Sequence, residues 1–388
     1  MPPRDADVIV VGTGTMGSAA LWQLAARGAD VLGIERFEPG HDRGSGHGES
    51  RLIRTAYFED PSYVPLVRAS WQLWQALEEQ SRIELLTRTG ALMLGPRDGL
   101  LVKGALAAAA EHGLSHEVLD PAECATRYPQ HPLAPDEVAV FEPEAGVLRP
   151  EAGIRAMVAA ARAAGARLVT GEVATAVEPD PSGDVTVRLA SGPVLAAGHV
   201  VVSAGAWTPV LLPELAATLQ VERQLPMWFE AGDPAWYGPD RFPVFVRQLE
   251  NGFGYGLPAL DGRTVKVGLH HGGAITTADA VGRTIHAEDI APLAEVVRQH
   301  LPGLRPDPVR GIVCLYTNTP DGHFVVGPLP DRPNVTLVSA CSGHGYKFAP
   351  VLGQVAADLV LDGRTDHPIA LFDPTRFRFA GPARAESA

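Results

Sequence analysis

The sequence predicts an α/β fold in two parts: a nucleotide-type β-α-β unit at the front, and a second, mostly antiparallel sheet built from the middle of the chain. Three observations carry this. "DVIVV" (Asp7–Val11) is a short apolar strand and "GTGTMG" (Gly12–Gly17) a turn; Met16, Ala20 and Leu24 then recur at helical spacing before "DVLGIER" (Asp30–Arg36) forms a second strand. From about Leu219 to Leu315 the runs are strand-like, with turns at "ENG", "LDG" and "HHGG" and one helix near Pro292–His300. Near the end "NVTLVSA", a Gly-rich turn and a helix over about Phe348–Leu361 repeat the strand-then-helix order of the front. The two outer parts can therefore share one sheet, which makes the domains discontinuous. Residues 1–88, 148–218 and 305–376 are expected in the first domain, 89–147 and 219–304 in the second, and 380–388 in a flexible tail.

Between these landmarks, Ser62–Gln80 places Tyr63, Leu66, Trp71, Leu73, Trp74 and Leu77 on a broad helical face. Ala105–His112 and Ile154–Ala164 read as Ala-rich helices, and "ARLVTGEVATAV", "VTVRLA" and "HVVVSAG" as strands. Pro39–Ser50, "PGHDRGSGHGES", is too polar for a core element and reads as a loop, functional or disordered.

With 388 residues, 46% of them apolar, the chain suits two domains with full cores. A net charge of −13 and a pI near 5.4 argue against nucleic acid, which needs a basic footprint. The three cysteines, Cys124, Cys314 and Cys341, show no metal-ligand spacing, so no metal is expected. Scattered thiols and the absence of a secretory leader fit a cytoplasmic protein. No apolar run approaches the roughly 18 residues of a membrane span. The ligand expected is a small molecule.

Gly12, Gly14 and Gly17 form G-x-G-x-x-G between a strand and a helix. The first makes the tight turn, the second lets backbone approach a pyrophosphate, and the third lets the helix pack closely; the helix N-terminus then stabilises the anion. Glu35, ending the second strand, is placed to accept bonds from ribose hydroxyls. This motif does not separate NAD from FAD. Three further segments favour FAD: "VVVSAGAW" (Val200–Trp207) and "SGHGYKFAP" (Ser342–Pro350, with Gly343 and Gly345 at the mouth of the last helix) are additional Gly turns, and in "GSGHGESRLIR" the residues Arg51 and Arg54 share a face if the segment is helical.

The stretches "DVIVVGTGTMGSAA", "GHGESRLIRTAY" followed by "YVPLV", "FEPEAGVLRPE", "CLYTNTPDGHF" and "SGHGYKFAPVLGQVAADL" occur in order from about residue 6 to residue 373. In these the sequence resembles monomeric sarcosine oxidase and N-methyltryptophan oxidase, flavoprotein amine oxidases of the D-amino-acid-oxidase superfamily. The resemblance implies a Rossmann-like FAD-binding domain and a substrate domain. It also implies FAD joined through the sulfur of Cys314, with Cys341 as the rival thiol, a secondary amino acid and O₂ as partners, and a monomer.

Residue by residue, the resemblance places Gly12, Gly14, Gly17, Glu35, Arg36, Ser45, Gly205, Trp207, Gly343 and Gly345 on the cofactor. It makes Arg54 and Lys347 a clamp for the substrate carboxylate, suited to the fork of arginine and the point charge of lysine. Either could instead pair with one of the chain's 45 acidic residues. Lys266 would lie over the flavin face opposite the substrate, where a cation favours O₂ reduction; on residue type alone it could as well be a solvated lysine. His270, on the same strand face as Lys266 by alternation, would line the substrate side together with Tyr255 and Tyr316. Arg51 and His47 would lie near the flavin ring.

Gly46, Glu49 and Ser50 depart from the family pattern, as do Val246, Arg247 and Gln248 on the strand that borders the substrate cavity, so the amine itself is left open. Three readings compete with the oxidase: a dehydrogenase passing electrons to another carrier, a flavin-binding sensor without turnover, and an NAD-dependent enzyme.

Overall fold

The computed structural model describes residues 4–339 and 342–377. Cys341 and the expected tail at 380–388 lie outside them.

The front unit forms as its sequence dictates. Strand Ala6–Val11 runs into the helix Thr15–Ala26, and Val31–Ile34 returns parallel beside it. The first sheet continues on the other side with Val194–Val202 and Arg332–Ser339, also parallel, while Arg167–Val169 extends it beyond Val31–Ile34. Chain order therefore reverses at Ala6–Val11, and a crevice opens at its carboxyl end. Its strands are apolar nearly throughout: Ile9, Val10, Val200, Val201, Val202, Val335 and Leu337 are fully buried, as a sheet covered on both faces requires.

The helix Ala349–Leu361 follows Arg332–Ser339 and packs on Thr15–Ala26, which ties the two ends of the chain together. Contact is at backbone distance: a Cβ on Gly353 would lie 2.5 Å from the Ala19 carbonyl carbon.

A second eight-stranded sheet runs, in spatial order, Leu304–Gly311, Met227–Ala231, Thr264–His270, Gly252–Leu257, Val244–Leu249, Ala91–Pro96, Glu137–Glu142 and Glu117–Leu119. All neighbours are antiparallel except Val244–Leu249 and Ala91–Pro96. Leu304–Gly311 bonds into this sheet beside Met227–Ala231. Two small sheets bridge the parts; in one, Cys314–Asn318 pairs with Gln220–Gln224, and in the other Arg51–Ile53 pairs with Gly146–Leu148.

Several boundaries moved for identifiable reasons. The helix Val64–Ser81 follows a 3₁₀ turn at Pro61–Tyr63 capped by Asp60, whose carboxylate accepts from Ser62 N at 2.8 Å. The helices at Leu100–His112 and Pro150–Ala163 begin earlier than their Ala-rich cores, the second with Pro150 in its first turn, where the lost N–H costs nothing. The helix Ala287–His300 tolerates Pro292 inside it. A short helix, Pro121–Arg127, was not anticipated, although Asp120 and Glu123 form a capping box. Arg51–Ile53 is a strand, not helix, so the helical-face argument for Arg51 and Arg54 fails.

Gly353→Ala should lower stability by about 1–3 kcal/mol, because neither helix backbone can yield and overpacking outweighs the gain in helix propensity. A thermal or denaturant melt checks it; an unchanged midpoint would show the helix contact is looser than its geometry.

Candidate active site

The crevice at the end of Ala6–Val11 opens into one cavity of about 490 Å³ that runs from the front turn to the second sheet. At its outer end each glycine of the turn does what its position predicts. Gly12 has φ +81°, and a Cβ there would strike Ala204 Cα at 2.9 Å; Gly17 would strike Gly12 O at 1.8 Å. Gly14 faces open space with nothing within 4 Å, the room a pyrophosphate needs beside the helix N-terminus.

Glu35 is buried and accepts from Thr13 N at 2.6 Å and Phe37 N at 3.0 Å; burial raises its pKa against these bonds. Its carboxylate has further lone pairs for ribose hydroxyls. Arg36 and the indole N–H of Trp207 both reach Asp279, at 2.8 and 3.0 Å. Gly205, Gly343 and Gly345 line the same cavity. Ser339 contributes a buried hydroxyl that has no partner among the described residues.

Midway along lies Cys314, 4% exposed, at the start of its strand. Its Sγ is 3.6 Å from Arg51 Nη2 and near the carbonyls of Gly44 and Ser45. Burial pushes the thiol pKa up, but His47 and the Arg51 cation outweigh it and bring the value down to about 7. His47 is buried beside the sulfur and, unlike Arg51, which is also expected near the flavin ring, does not line the cavity. The polar loop through Ser50 is thus ordered and mostly buried at its inner end. Ser45 Oγ donates to Leu315 O at 2.6 Å, and Arg51 donates to the carbonyls of Ser45 and Ser50.

Lys266 is 2% exposed, so it is not a solvated surface lysine. Its Nζ donates to Gly48 O and Ser50 O, both at 2.8 Å. Burial, then Arg51, push its pKa well below the ordinary lysine range. The strand carries no bulge between Lys266 and His270, and both side chains line the cavity. Gly343, at φ +80°, brings the Gly-rich turn against this group: a Cβ there would meet His270 Cε1 and Tyr316 Cε2 at 2.5 Å. Burial holds His270 neutral and raises the hydroxyl pKa of Tyr255 to about 12 and that of Tyr316 further.

At the inner end Arg54 and Lys347 are both buried and both line the cavity. Arg54 is already engaged by an acid: Nη2 meets both oxygens of Glu59 at 2.7 Å, and Nη1 donates to Ala56 O. Burial raises the Glu59 pKa, but Arg54, with His344 and Lys347, outweighs it and brings the value down to about 2. Lys347 donates to His344 O at 2.8 Å; burial and the Arg54 charge lower its pKa to about 7. Leu52, Phe58, Val246 and Leu257 close the apolar walls.

Of the expected residues, only Gly17 and His47 stay off the cavity wall. Glu59, Asp279 and His344 are on it and were not anticipated; His344 stands inside the quoted "SGHGYKF", whereas Glu59 and Asp279 carry no local signal. Only Val246 of the divergent strand residues faces the cavity. Arg247 points the other way and is paired with Glu137 at 3.0 Å, and Gln248 caps Leu101 N.

Residues 7–359 match the model of the FAD dependent oxidoreductase family. The monomeric sarcosine oxidase of Streptomyces avermitilis is 41% identical over 382 residues, covering 97% of this chain and 99% of that protein. The N-methyl-L-tryptophan oxidase of Salmonella newport is 35% identical over 377 residues, 96% of this chain and 98% of that one. Among solved structures, NikD, described as an unusual amino acid oxidase essential for nikkomycin biosynthesis, superposes with a TM-score of 0.83 at 26% identity, over 95% of this chain and 97% of its own. By a match that spans most of its length, and by relatives this similar over nearly all of it, the chain belongs to the FAD dependent oxidoreductase family.

Proposed function

We propose that the protein is an FAD-dependent oxidase of secondary amines, converting an N-methyl amino acid to the demethylated amino acid, formaldehyde and hydrogen peroxide. One observation carries this: the dinucleotide-type turn and the buried pair Arg54 and Lys347 open onto a single cavity. The open space at Gly14 and the Ser339 hydroxyl, which has no partner among the described residues, fit a dinucleotide cofactor. FAD, when bound, supplies the two-electron acceptor for the amine C–H bond and the donor that reduces O₂.

The chain's own part follows from charge. Arg54, Lys347 and Glu59 sum to one positive charge when Lys347 is protonated, which a single substrate carboxylate neutralises. Arg54 presents its remaining N–H groups, and Lys347 its two unused ones, for that carboxylate. Neutral His270 and the high-pKa tyrosines accept and donate hydrogen bonds without taking a proton from the amine, so the substrate enters with its nitrogen unprotonated. Lys266 and Arg51 concentrate positive charge where oxygen gains electrons. We assign Cys314 as the covalent anchor of the cofactor, on its depressed pKa and its neighbours Arg51 and His47. The parts of the chain assigned by sequence to cofactor and substrate domains, a monomeric state and a cytoplasmic location belong to the same reading; no helix among the described residues is long and apolar enough to cross a membrane.

Acid precipitation of the wild type should leave yellow flavin in the pellet, and Cys314→Ala should release it to the supernatant. Release from both would make Cys314 a packing thiol.

Arg54→Met should weaken transition-state binding by about 2–5 kcal/mol, roughly a 30- to 5,000-fold loss in kcat/KM, for N-methyl amino acids. An N-methyl amine without a carboxylate should be indifferent to the change; equal losses for both would remove the clamp. Peroxide formed in step with amine consumed separates an oxidase from a dehydrogenase that uses another carrier.

Lys347 gives a pH signature. Its free pKa of about 7 means it is charged below that pH and neutral above it. A simple carboxylate inhibitor should therefore bind with constant affinity below pH 7 and progressively more weakly above it, and Lys347→Met should flatten the profile.

A further inference from the structure

The "HHGG" turn that ends Thr264–His270 is only half accounted for by the site: His270 lines the cavity and His271 does not. His271 has φ +67°, a left-handed backbone that a histidine adopts only where its surroundings hold it. Its side chain is 42% exposed, yet its ring is packed against two residues of the cavity wall. The ring centroid lies 4.2 Å from that of His270 and 5.5 Å from that of Tyr316, and the His270 and Tyr316 rings meet edge-on at 5.7 Å.

What holds His271 is a buried carboxylate that the proposed reaction leaves without a task. Glu222, 4% exposed, sits directly opposite Tyr316 in the pairing of Gln220–Gln224 with Cys314–Asn318. It accepts from Gly273 N at 2.7 Å, from Gln224 Nε2 at 2.8 Å and from Asn318 Nδ2, and it lies 3.3 Å from His271 Nδ1. Burial raises the Glu222 pKa, but the bonds from His271, Gly273 and Asn318 outweigh it and leave the carboxyl below its ordinary range. An ionised carboxylate only accepts, so the facing Nδ1 of His271 carries a proton. One buried acid thus ties its own strand to the turn after His270 and to the strand that carries Cys314 and Tyr316. Gly273 closes the turn at backbone distance, because a Cβ there would meet Arg223 O at 1.8 Å.

His270 is gripped from both sides by this arrangement. Gly343 presses on one edge of its ring and His271 covers another, while its Nδ1 faces Tyr316 Oη at 3.4 Å. Besides Tyr316, the titratable and charged groups that face it are His271, His344, Glu59 and Lys347; burial, then His271, do most to hold its pKa down.

We propose that Glu222 and His271 are positioning residues for the amine half of the reaction: Glu222 fixes the His271 ring, and that ring fixes the plane of His270 and its bond to Tyr316. The proposal rests on the oxidase reading and deepens it. Lys266 is held separately, by the carbonyls of Gly48 and Ser50, so the reaction with O₂ should not depend on the pair.

His271→Gly is the informative variant, because glycine favours the φ +67° backbone and the turn keeps its shape while the ring is lost. Its thermal midpoint should equal or exceed that of the wild type. Stopped-flow should show anaerobic reduction of the holoenzyme slowed several-fold, by sarcosine or N-methyltryptophan, whichever the wild type oxidises faster, with reoxidation by O₂ unchanged. Opened to solvent, His270 should titrate closer to the ordinary histidine value of about 6.5, which adds an acid limb to the reduction rate near that pH. Glu222→Gln should move both readouts the same way, since an amide cannot accept from all four donors. A reduction rate and pH profile unaltered in His271→Gly would make the pair a turn anchor only, and both half-reactions slowed alike would mean general loosening; either result overturns the assignment. A wild type that neither amine reduces would instead overturn the oxidase reading. The His270 titration, followed by nitrogen NMR of histidine-labelled holoenzyme, then still decides the pair: identical curves in wild type and His271→Gly reject it.

Discussion

Two cations, the buried Lys266 and the half-buried Arg51, hold the centre of this molecule together through backbone carbonyls. Lys266 binds the carbonyls of Gly48 and Ser50, and Arg51 those of Ser45 and Ser50. Without them a polar loop of glycine, histidine and serine would have no reason to lie inside a protein. Burying either cation unpaired would cost several kcal/mol, so loop and cations stabilise one another only together. Glu151 completes the arrangement from the other side by accepting the N–H groups of Gly48 and Glu49.

That constraint sets the electrostatics of everything nearby. The loop carbonyls satisfy Lys266 without neutralising it, and Arg51 adds a second charge beside Cys314. Burial lowers the Lys266 pKa most, and the Arg51 charge that lowers the thiol pKa adds to it. At the inner end Glu59 plays the opposite part, offsetting one of the two positive charges of Arg54 and Lys347. The cavity thus grades from a cationic middle to an inner end whose charge depends on Lys347.

Local physics made much of this legible. The glycines at 12, 14 and 17 each have a separate steric reason, and alternation along Thr264–His270 correctly put Lys266 and His270 on one side. Helical spacing misled at Arg51 and Arg54, because what makes that segment a strand is pairing with Gly146–Leu148, almost a hundred residues away. Glu59 and Asp279 were invisible for a similar reason: their importance comes from Arg54 above a turn and from Arg36 and Trp207 in distant segments. Buried carboxylates become recognisable only once their cations are placed.

The strand Val244–Leu249 carries unlike duties on its two faces. Val246 forms part of the cavity wall, and Arg247, its neighbour, is sealed behind it with Glu137. A slip of one residue would turn the guanidinium toward the ligand and strand the carboxylate in the core. Among proteins built this way, diversification of the pocket should therefore proceed by exchange of side chains at fixed positions on this strand, and changes in chain length should be confined to the hairpins at its ends.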